Sequence, residues 1–167
     1  MKKHLLWLFF SAFLAGALLL SCGTSQTAAE KEQKALRIKE KVVSFDFTFT
    51  AMTANPMNFG PVHLTSSYDL KVSKDTIQAY LPYFGRAYVA NMDPTEGGIK
   101  FTSTDFDYNI VKGKRKGNWN ITIKTLDRNP NLSLYLDIWE SGSAQLIVSD
   151  PNRQTISFEG NIVDNNN

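Results

Sequence analysis

The sequence predicts a mainly β domain, an antiparallel meander that closes into an up-and-down barrel of about eight strands with one N-terminal helix. From Phe45 onward apolar residues recur at every second position, which is the period of a strand with one buried face. Short turns join successive segments, so neighbouring strands must be antiparallel, because a parallel crossover needs a dozen residues or more. A long meander exposes its edges unless it closes, which favours a barrel over the alternative, a two-layer β-sandwich.

The chain opens with the features of a secretory signal. Lys2 and Lys3 make the start basic, residues 5–20 are almost wholly apolar, and the small Ser21 precedes Cys22, the only cysteine. The arrangement resembles a bacterial lipobox, in which the cysteine is acylated after cleavage and anchors the protein. We therefore expect a lipoprotein signal peptide at 1–21, followed by the lipidated Cys22 and a flexible tether at 22–29. The alternative, an uncleaved transmembrane helix, normally needs about 20 apolar residues.

A helix is predicted to follow the tether. Thr27 and Glu30 have the spacing of a capping box, and we expect the helix to end near Lys41, where the period changes. Its weak apolar stripe is expected to lie across the end of the sheet or barrel and consists of Ala28, Ala35, Leu36, Val42 and Val43.

The two-residue period then divides the chain into eight or nine strands. They are predicted at 45–51, 64–72, 76–81, 99–104, 106–111, 119–123, 132–139, 144–149 and 155–163. Turn-forming residues separate them at 73–75, 112–117, 140–143 and 150–153. Residues 30–163 are therefore expected to form a single β domain that includes the helix, with a disordered tail at 164–167.

Composition excludes several classes of function. Lys2 and Lys3 account for the whole net charge of +2, so the chain after the signal has 16 basic and 16 acidic residues. A neutral body argues against nucleic acid as a partner. His63 is the only histidine after the signal, so the usual zinc and copper sites cannot be built and no cofactor or metal is expected. Asp105 and Asp107 share one strand face, which fits a calcium site or an acid pair, but they are interpreted as two solvated carboxylates beside a turn. No spacing pairs a nucleophile with a base, so we expect no catalytic residues and no enzyme.

Two segments carry candidate functional residues. Residues 80–88 hold four aromatic side chains and one arginine, and the expected ligand entrance at a barrel mouth consists of Tyr83, Phe84, Arg86 and Tyr88. The alternative is that the rings plug the barrel end and Arg86 satisfies loop carbonyls. Residues 112–117 place four cations on one hairpin tip, which fits either an anionic membrane surface or a solvated turn.

Several motifs together resemble the family called domain of unknown function 4251, which comprises lipoproteins of Bacteroidetes-type bacteria. The matching segments are 54–57, 64–66, 81–88, 97–101, 142–146 and 152–158 with Gly160. The resemblance implies a lipocalin-like architecture and brings no known activity, ligand or catalytic residue. Residues 23–26 lack the acidic residues that resemble a surface-export signal, so the outer membrane facing the periplasm is the expected location.

Two functions are left open by the sequence. The first is a non-enzymatic module that binds a small apolar or lipid-like ligand in the barrel or at its mouth, anchored to the membrane through Cys22. The second is a scaffold or interaction protein of an envelope complex, with a filled barrel and an envelope protein as partner. Either protein is expected to be a monomer. Large inward side chains such as Phe45, Phe47, Trp119 and Leu134 would favour the second function if they met across the centre.

Overall fold

The computed structural model describes residues 27–89 and 97–163. The elements are α1 (Ala28–Ser44), β1 (Phe47–Pro56), β2 (Val62–Val72), β3 (Ile77–Pro82), β4 (Gly98–Ser103), β5 (Phe106–Lys112), β6 (Asn118–Thr125), β7 (Ser133–Trp139), β8 (Ser143–Ser149) and β9 (Ile156–Val163). The chain divides into two units, Met1–Glu30 and Lys31–Asn167, and all nine strands belong to the second. The predicted signal, Cys22, residues 23–26 and the tail at 164–167 lie outside the described residues.

The nine strands form one antiparallel sheet in the order β4-β3-β2-β1-β9-β8-β7-β6-β5. Eight antiparallel steps separate the two edge strands, so β4 and β5 run in the same direction, and only residues 104–105 connect them. They are therefore two halves of one bent strand, of which the first half pairs with β3 and the second with β6. The sheet curls into a nearly closed barrel with eight walls. This confirms the predicted fold, and the sandwich alternative does not describe the sheet.

A carboxylate joins the two edges at the bend between β4 and β5. Asp127, in the loop after β6, accepts hydrogen bonds from Ser103 Oγ at 2.6 Å and from the backbone N–H of Thr104 at 3.0 Å. The backbone N–H of Leu126 donates to the carbonyl of Asp105 at 2.8 Å. These bonds hold the pKa of Asp127 below its usual value, and the bond from Ser103 has a larger effect than the bond from Thr104. This exposed carboxylate therefore fastens the bend between β4 and β5 to the loop after β6, and we call this junction the seam.

The inward side chains fill the barrel. Apolar residues of every strand except β5 are 0–7% exposed and form one continuous cluster, against which Phe106 and Ile110 of β5 pack while partly buried. Phe47, Phe49, Phe158 and Leu134 belong to this cluster, and each is 0% exposed. Eight strands enclose just enough room for packed side chains. The interior is therefore taken up by the protein's own residues.

The helix begins as predicted. The side chain of Thr27 accepts from the N–H of Glu30 at 3.3 Å, and the carboxylate of Glu30 accepts from the N–H of Thr27 at 2.8 Å, a complete capping box. The apolar stripe was only partly right. Ile38 and Val42 are the helix residues buried against the barrel, whereas Leu36 and Val43 point the other way into solvent. The weak stripe misled because two apolar pairs lie on opposite sides of one helix.

The helix ends at a left-handed residue that the period-two pattern did not predict. Phe45, expected as the first strand residue, has φ of +54°. Its N–H donates to the carbonyl of Val42, and the N–H of Asp46 donates to the carbonyl of Lys41, which together form a Schellman motif. The ring of Phe45 stacks on Tyr108 with centroids 3.9 Å apart and meets Phe47 edge-on at 6.3 Å. These ring contacts hold a bulky residue in a conformation that glycine normally occupies.

Candidate functional site

The segment that contains the predicted entrance, residues 83–88, is tied by its backbone to residues 152–154. The N–H of Gln154 donates to the carbonyl of Arg86 at 3.0 Å, and the N–H of Tyr88 donates to the carbonyl of Asn152 at 2.8 Å. Ala87 and Arg153 form an antiparallel bridge between these bonds. We call residues 83–88 and 152–154 together the corner strap. It is a short ladder that fastens the loop after β3 to the loop before β9.

Tyr83 is the central side chain of the corner strap. Its single hydroxyl hydrogen is shared between the carbonyls of Arg86 at 2.9 Å and Gln154 at 3.1 Å, and the guanidinium of Arg153 lies 5.3 Å from its ring centroid. Burial raises the pKa of the Tyr83 hydroxyl above its ordinary value. The hydroxyl therefore stays protonated and serves as a fixed donor to two loop carbonyls.

The other three predicted residues have different environments. Phe84 is half-buried and packs against the core cluster. Arg86 and Tyr88 are exposed, Tyr88 by 63% of its surface. The structure thus brings Tyr83 and Phe84 into the packed end of the barrel and leaves Arg86 and Tyr88 on its surface.

Two residues of the corner strap were not identified as site residues from the sequence. Arg153 donates from Nη1 to the carbonyl of Gly98 at 3.0 Å and pairs with Asp150 at 3.6 Å. The side-chain oxygen of Gln154 accepts from the N–H of Arg86 at 3.1 Å. A signal was present, since these contacts join three of the segments that carry the family resemblance, at 81–88, 97–101 and 152–158. Segments that resemble one family together are expected to meet in the fold.

Substitutions in the corner strap should separate structural from surface roles. Tyr83→Phe removes a hydroxyl bonded to two carbonyls and should lower the free energy of unfolding by about 1–2 kcal/mol. Arg86→Ala changes an exposed side chain and should stay within about 0.5 kcal/mol of wild type. Urea denaturation of both variants measures the difference. A larger loss for Arg86→Ala than for Tyr83→Phe would contradict the assignment.

A second candidate site lies on the outer wall, at a bulge in β1. The register shifts between Ala51 and Thr53 against both neighbouring strands, so Met52 is pushed out between the inward residues Ala51 and Ala54. Met52 is 55% exposed, and Asn161 donates to its sulfur at 3.0 Å. β-Bulges commonly re-aim side chains in this way at functional sites.

Two open grooves flank Met52. One, of about 430 Å³, runs over β8 and β9, and the residues that line it include Trp139, Gln145 and Glu159. The other, of about 440 Å³, runs toward β2 and includes His63. We call them together the bulge grooves. Their lining combines one exposed methionine and a half-buried tryptophan with amide, carboxylate and imidazole groups.

The titratable residues singled out in the sequence are dispersed. His63 is exposed, with Nδ1 3.3 Å from the hydroxyl of Thr53, and Asp105 and Asp107 are both exposed on the wall near the seam. Within residues 27–89 and 97–163, no three His, Cys, Asp or Glu side chains group closely enough to hold a metal ion.

None of the helices in the described part of the chain is sufficiently long and apolar to span a bilayer.

Comparison with known proteins identifies the family and a structural neighbour. The model of the family described as domain of unknown function (DUF4251) matches residues 29–162. A crystal structure of a DUF4251 family protein from Bacteroides eggerthii is similar with a TM-score of 0.54 at 15% identity, over 80% of this chain and 87% of that chain. At this identity the likeness supports the fold alone. No curated protein matches the sequence. The family model covers most of the chain, and this protein therefore belongs to the DUF4251 family.

Proposed function

We propose that this protein is a lipid-anchored, non-enzymatic interaction module of an envelope complex, with a barrel that serves as a filled scaffold. The observation that carries the proposal is the continuous core of side chains that are 0–7% exposed. A barrel packed in this way offers its outer surface, rather than its interior, for recognition. It supports the second of the two functions left open by the sequence.

The bulge grooves are the part of the outer wall best suited to a protein partner. Met52 is a flexible, polarizable side chain in solvent, and such residues adapt to apolar partner surfaces. Trp139 lies beside it at the edge of the groove, and tryptophan and methionine are enriched in protein interfaces. Glu159 and Asn161 supply polar groups at the rim.

In-cell crosslinking tests the interaction proposal. A photoreactive residue placed at Met52 or Gln145 should give a defined higher-mass adduct with an envelope protein in the native host. The same residue at Thr122, which is exposed on β6, serves as the matched control and should give none. Equal adducts at the three positions, or no adduct at Met52 and Gln145, would contradict a partner at the bulge grooves.

The anchor is tested by changing Cys22. The lipobox-like sequence around Cys22 supports acylation at its thiol, and two or three acyl chains hold a protein stably on a membrane. We expect Cys22→Ser to abolish labelling with a radioactive fatty acid and to leave the chain unprocessed or released from the outer membrane. Fractionation of the envelope provides the measurement. A processed Cys22→Ser chain that remains with the membrane would contradict lipid anchoring.

A small amphiphilic ligand at the barrel end is the second candidate function. The exposure of Arg86 and Tyr88 beside the packed Phe84 favours it, because a cation next to aromatic surface can hold an anionic headgroup. Titration with a fluorescent fatty acid tests it. A role for Arg86 predicts binding that Arg86→Ala weakens by about tenfold or more, whereas the interaction module predicts no saturable binding.

A further inference from the structure

The end of the barrel that α1 covers gathers three separate pieces of the chain. The tip of the β5–β6 hairpin touches the turn after β7, where the N–H of Glu140 donates to the carbonyl of Gly117 at 2.7 Å. The turn after β7 also lies under α1, because the α-carbon of Gly142 faces the side chains of Lys34 and Ile38. The stack of Phe45 on Tyr108 joins the end of α1 back to β5. We call this surface, formed by residues 31–44 of α1 and the 112–117 tip, the helix end.

The tip of the β5–β6 hairpin is held in a defined shape. Gly117 has φ of +74°, and a side chain there would overlap the carboxylate of Glu140. The N–H of Gly113 donates to the carbonyl of Asn118 at 2.8 Å, and the buried amide of Asn118 donates to Asp137 and to the carbonyl of Ile138. This fixed hairpin presents exposed cations, which are Lys112, Lys114, Arg115 and Lys116.

The charge of the chain is divided unevenly between the helix end and the remainder. Residues 31–44 and 112–116 contain nine basic and two acidic residues, a net charge of +7. The rest of the chain after the predicted signal contains seven basic and fourteen acidic residues, a net charge of −7. The overall neutrality seen in the composition therefore conceals an excess of basic residues in these two segments, beside which the carboxylate of Glu140 lies at Gly117. Clustered cations of this kind are attracted to a negatively charged surface.

Apolar side chains accompany the cations at the helix end. Leu36 and Val43, two helical turns apart, project from α1 away from the barrel and are 59% and 65% exposed. Val111, 47% exposed, lies next to the cationic tip. Apolar side chains set among lysine and arginine are typical of surfaces that rest in the headgroup region of a bilayer. Phosphate contacts, which dominate non-specific nucleic-acid binding, would leave these aliphatic groups unused.

We propose that the helix end is a membrane-docking surface that rests on an anionic bilayer. Its cations contact the lipid headgroups, while Leu36, Val43 and Val111 enter the boundary between headgroups and acyl chains. The docking does not depend on the proposed interaction with an envelope protein, and it is distinct from anchoring through Cys22.

Hydrogen exchange in vesicles tests this proposal. Protein purified from its native host is added in detergent to two kinds of vesicle, and the detergent is then removed. One kind contains phosphatidylcholine alone, and the other contains phosphatidylcholine with phosphatidylglycerol. Peptides that cover residues 36–43 and 111–117 should exchange more slowly, by about tenfold, in the anionic vesicles only. High salt should reverse this protection because it screens the headgroup charge.

Charge-reversal variants provide the matched control. Lys114→Glu with Arg115→Glu should abolish the protection at the helix end. Lys100→Glu with Lys124→Glu changes the net charge equally on exposed parts of the wall and should leave the protection in place. Equal exchange in neutral and anionic vesicles, or loss of protection in both double variants, would overturn the proposal. The proposal would also be overturned if a soluble protein partner protected these peptides from exchange and vesicles did not.

The outcomes separate docking from the proposed lipid anchor. Flotation with neutral vesicles reports the anchor, whereas the exchange of the 36–43 and 111–117 peptides reports docking. A chain that floats only with anionic vesicles and shows the protection would support docking while arguing against the anchor. A chain that floats with both kinds of vesicle and shows no protection would support the anchor and argue against docking.

Discussion

Replacing Gly160 by alanine is expected to destabilise the barrel by about 2–3 kcal/mol or more. A β-carbon at this position would overlap the carbonyl oxygen of Thr50 and would lie 3.0 Å from the ring of Phe49. Gly160 pairs with both Ala51 and Ala144, so it joins β9 to its two neighbours beside the bulge of β1. Backbone rather than a flexible side chain blocks the new methyl group, so the strands themselves must separate.

Gly60 provides the control for this substitution. A β-carbon there meets nothing within 4 Å, so Gly60→Ala should leave stability unchanged or raise it by a few tenths of a kcal/mol through the unfolded state. Chemical denaturation of the two variants in parallel is the measurement. A Gly160→Ala protein as stable as Gly60→Ala would show that β1 and β9 do not approach each other this closely.

Truncation of Phe45 should give the second large loss of stability. Glycine and alanine at this position should rank in the opposite order to that expected inside a regular strand. Removing its buried ring leaves a cavity against Phe47 and Tyr108 and should lower the free energy of unfolding by about 3–5 kcal/mol. Because Phe45 has φ of +54°, glycine relieves about 1 kcal/mol of backbone strain that alanine retains. Phe45→Gly should therefore be less destabilised than Phe45→Ala.

Phe49 is the matched comparison, since it is equally buried but lies in the regular part of β1. Glycine inside a strand is about 0.5–1 kcal/mol less favourable than alanine, so Phe49→Gly should be less stable than Phe49→Ala. Denaturation curves of the four variants test the reversal. The same order at both positions would contradict the left-handed conformation of Phe45.

The regular parts of the barrel follow from local pattern. Phe47, Phe49 and Ala51 face inward as the two-residue period predicts, because burial of one face imposes that period directly. Thr27 and Glu30 predict the start of the helix because a capping box involves only four consecutive residues. Features that depend on neighbours in sequence could therefore be predicted from it.

The features that were missed depend on contacts between distant segments. Phe45 continues the apolar period of β1, and nothing local indicates that Tyr108 stabilises it in a left-handed conformation. The hydroxyl of Tyr83 bonds to the carbonyl of Gln154, 71 residues away, and nothing close to Tyr83 in the sequence indicates that partner. The junction of β4 and β5 likewise depends on Asp127, more than 20 residues away.

The filled interior is the observation on which the functional account depends most. Phe47 and Leu134, which the sequence placed inward, are 0% exposed, and Trp119 is half-buried against the same cluster. A sequence can indicate which side chains face inward, but the space left between them is determined by strand tilt and closure. How closely these side chains pack therefore required the three-dimensional structure.

Native mass spectrometry of the protein purified from its own host tests this claim most directly. If the barrel is filled, the intact mass should equal that of the processed and acylated chain, and denaturation should release no small molecule. Extraction with organic solvent should then recover only bulk lipid, at ratios that vary between preparations. A small molecule bound at one per chain, retained through purification and released on unfolding, would contradict the filled barrel and restore ligand binding as the function.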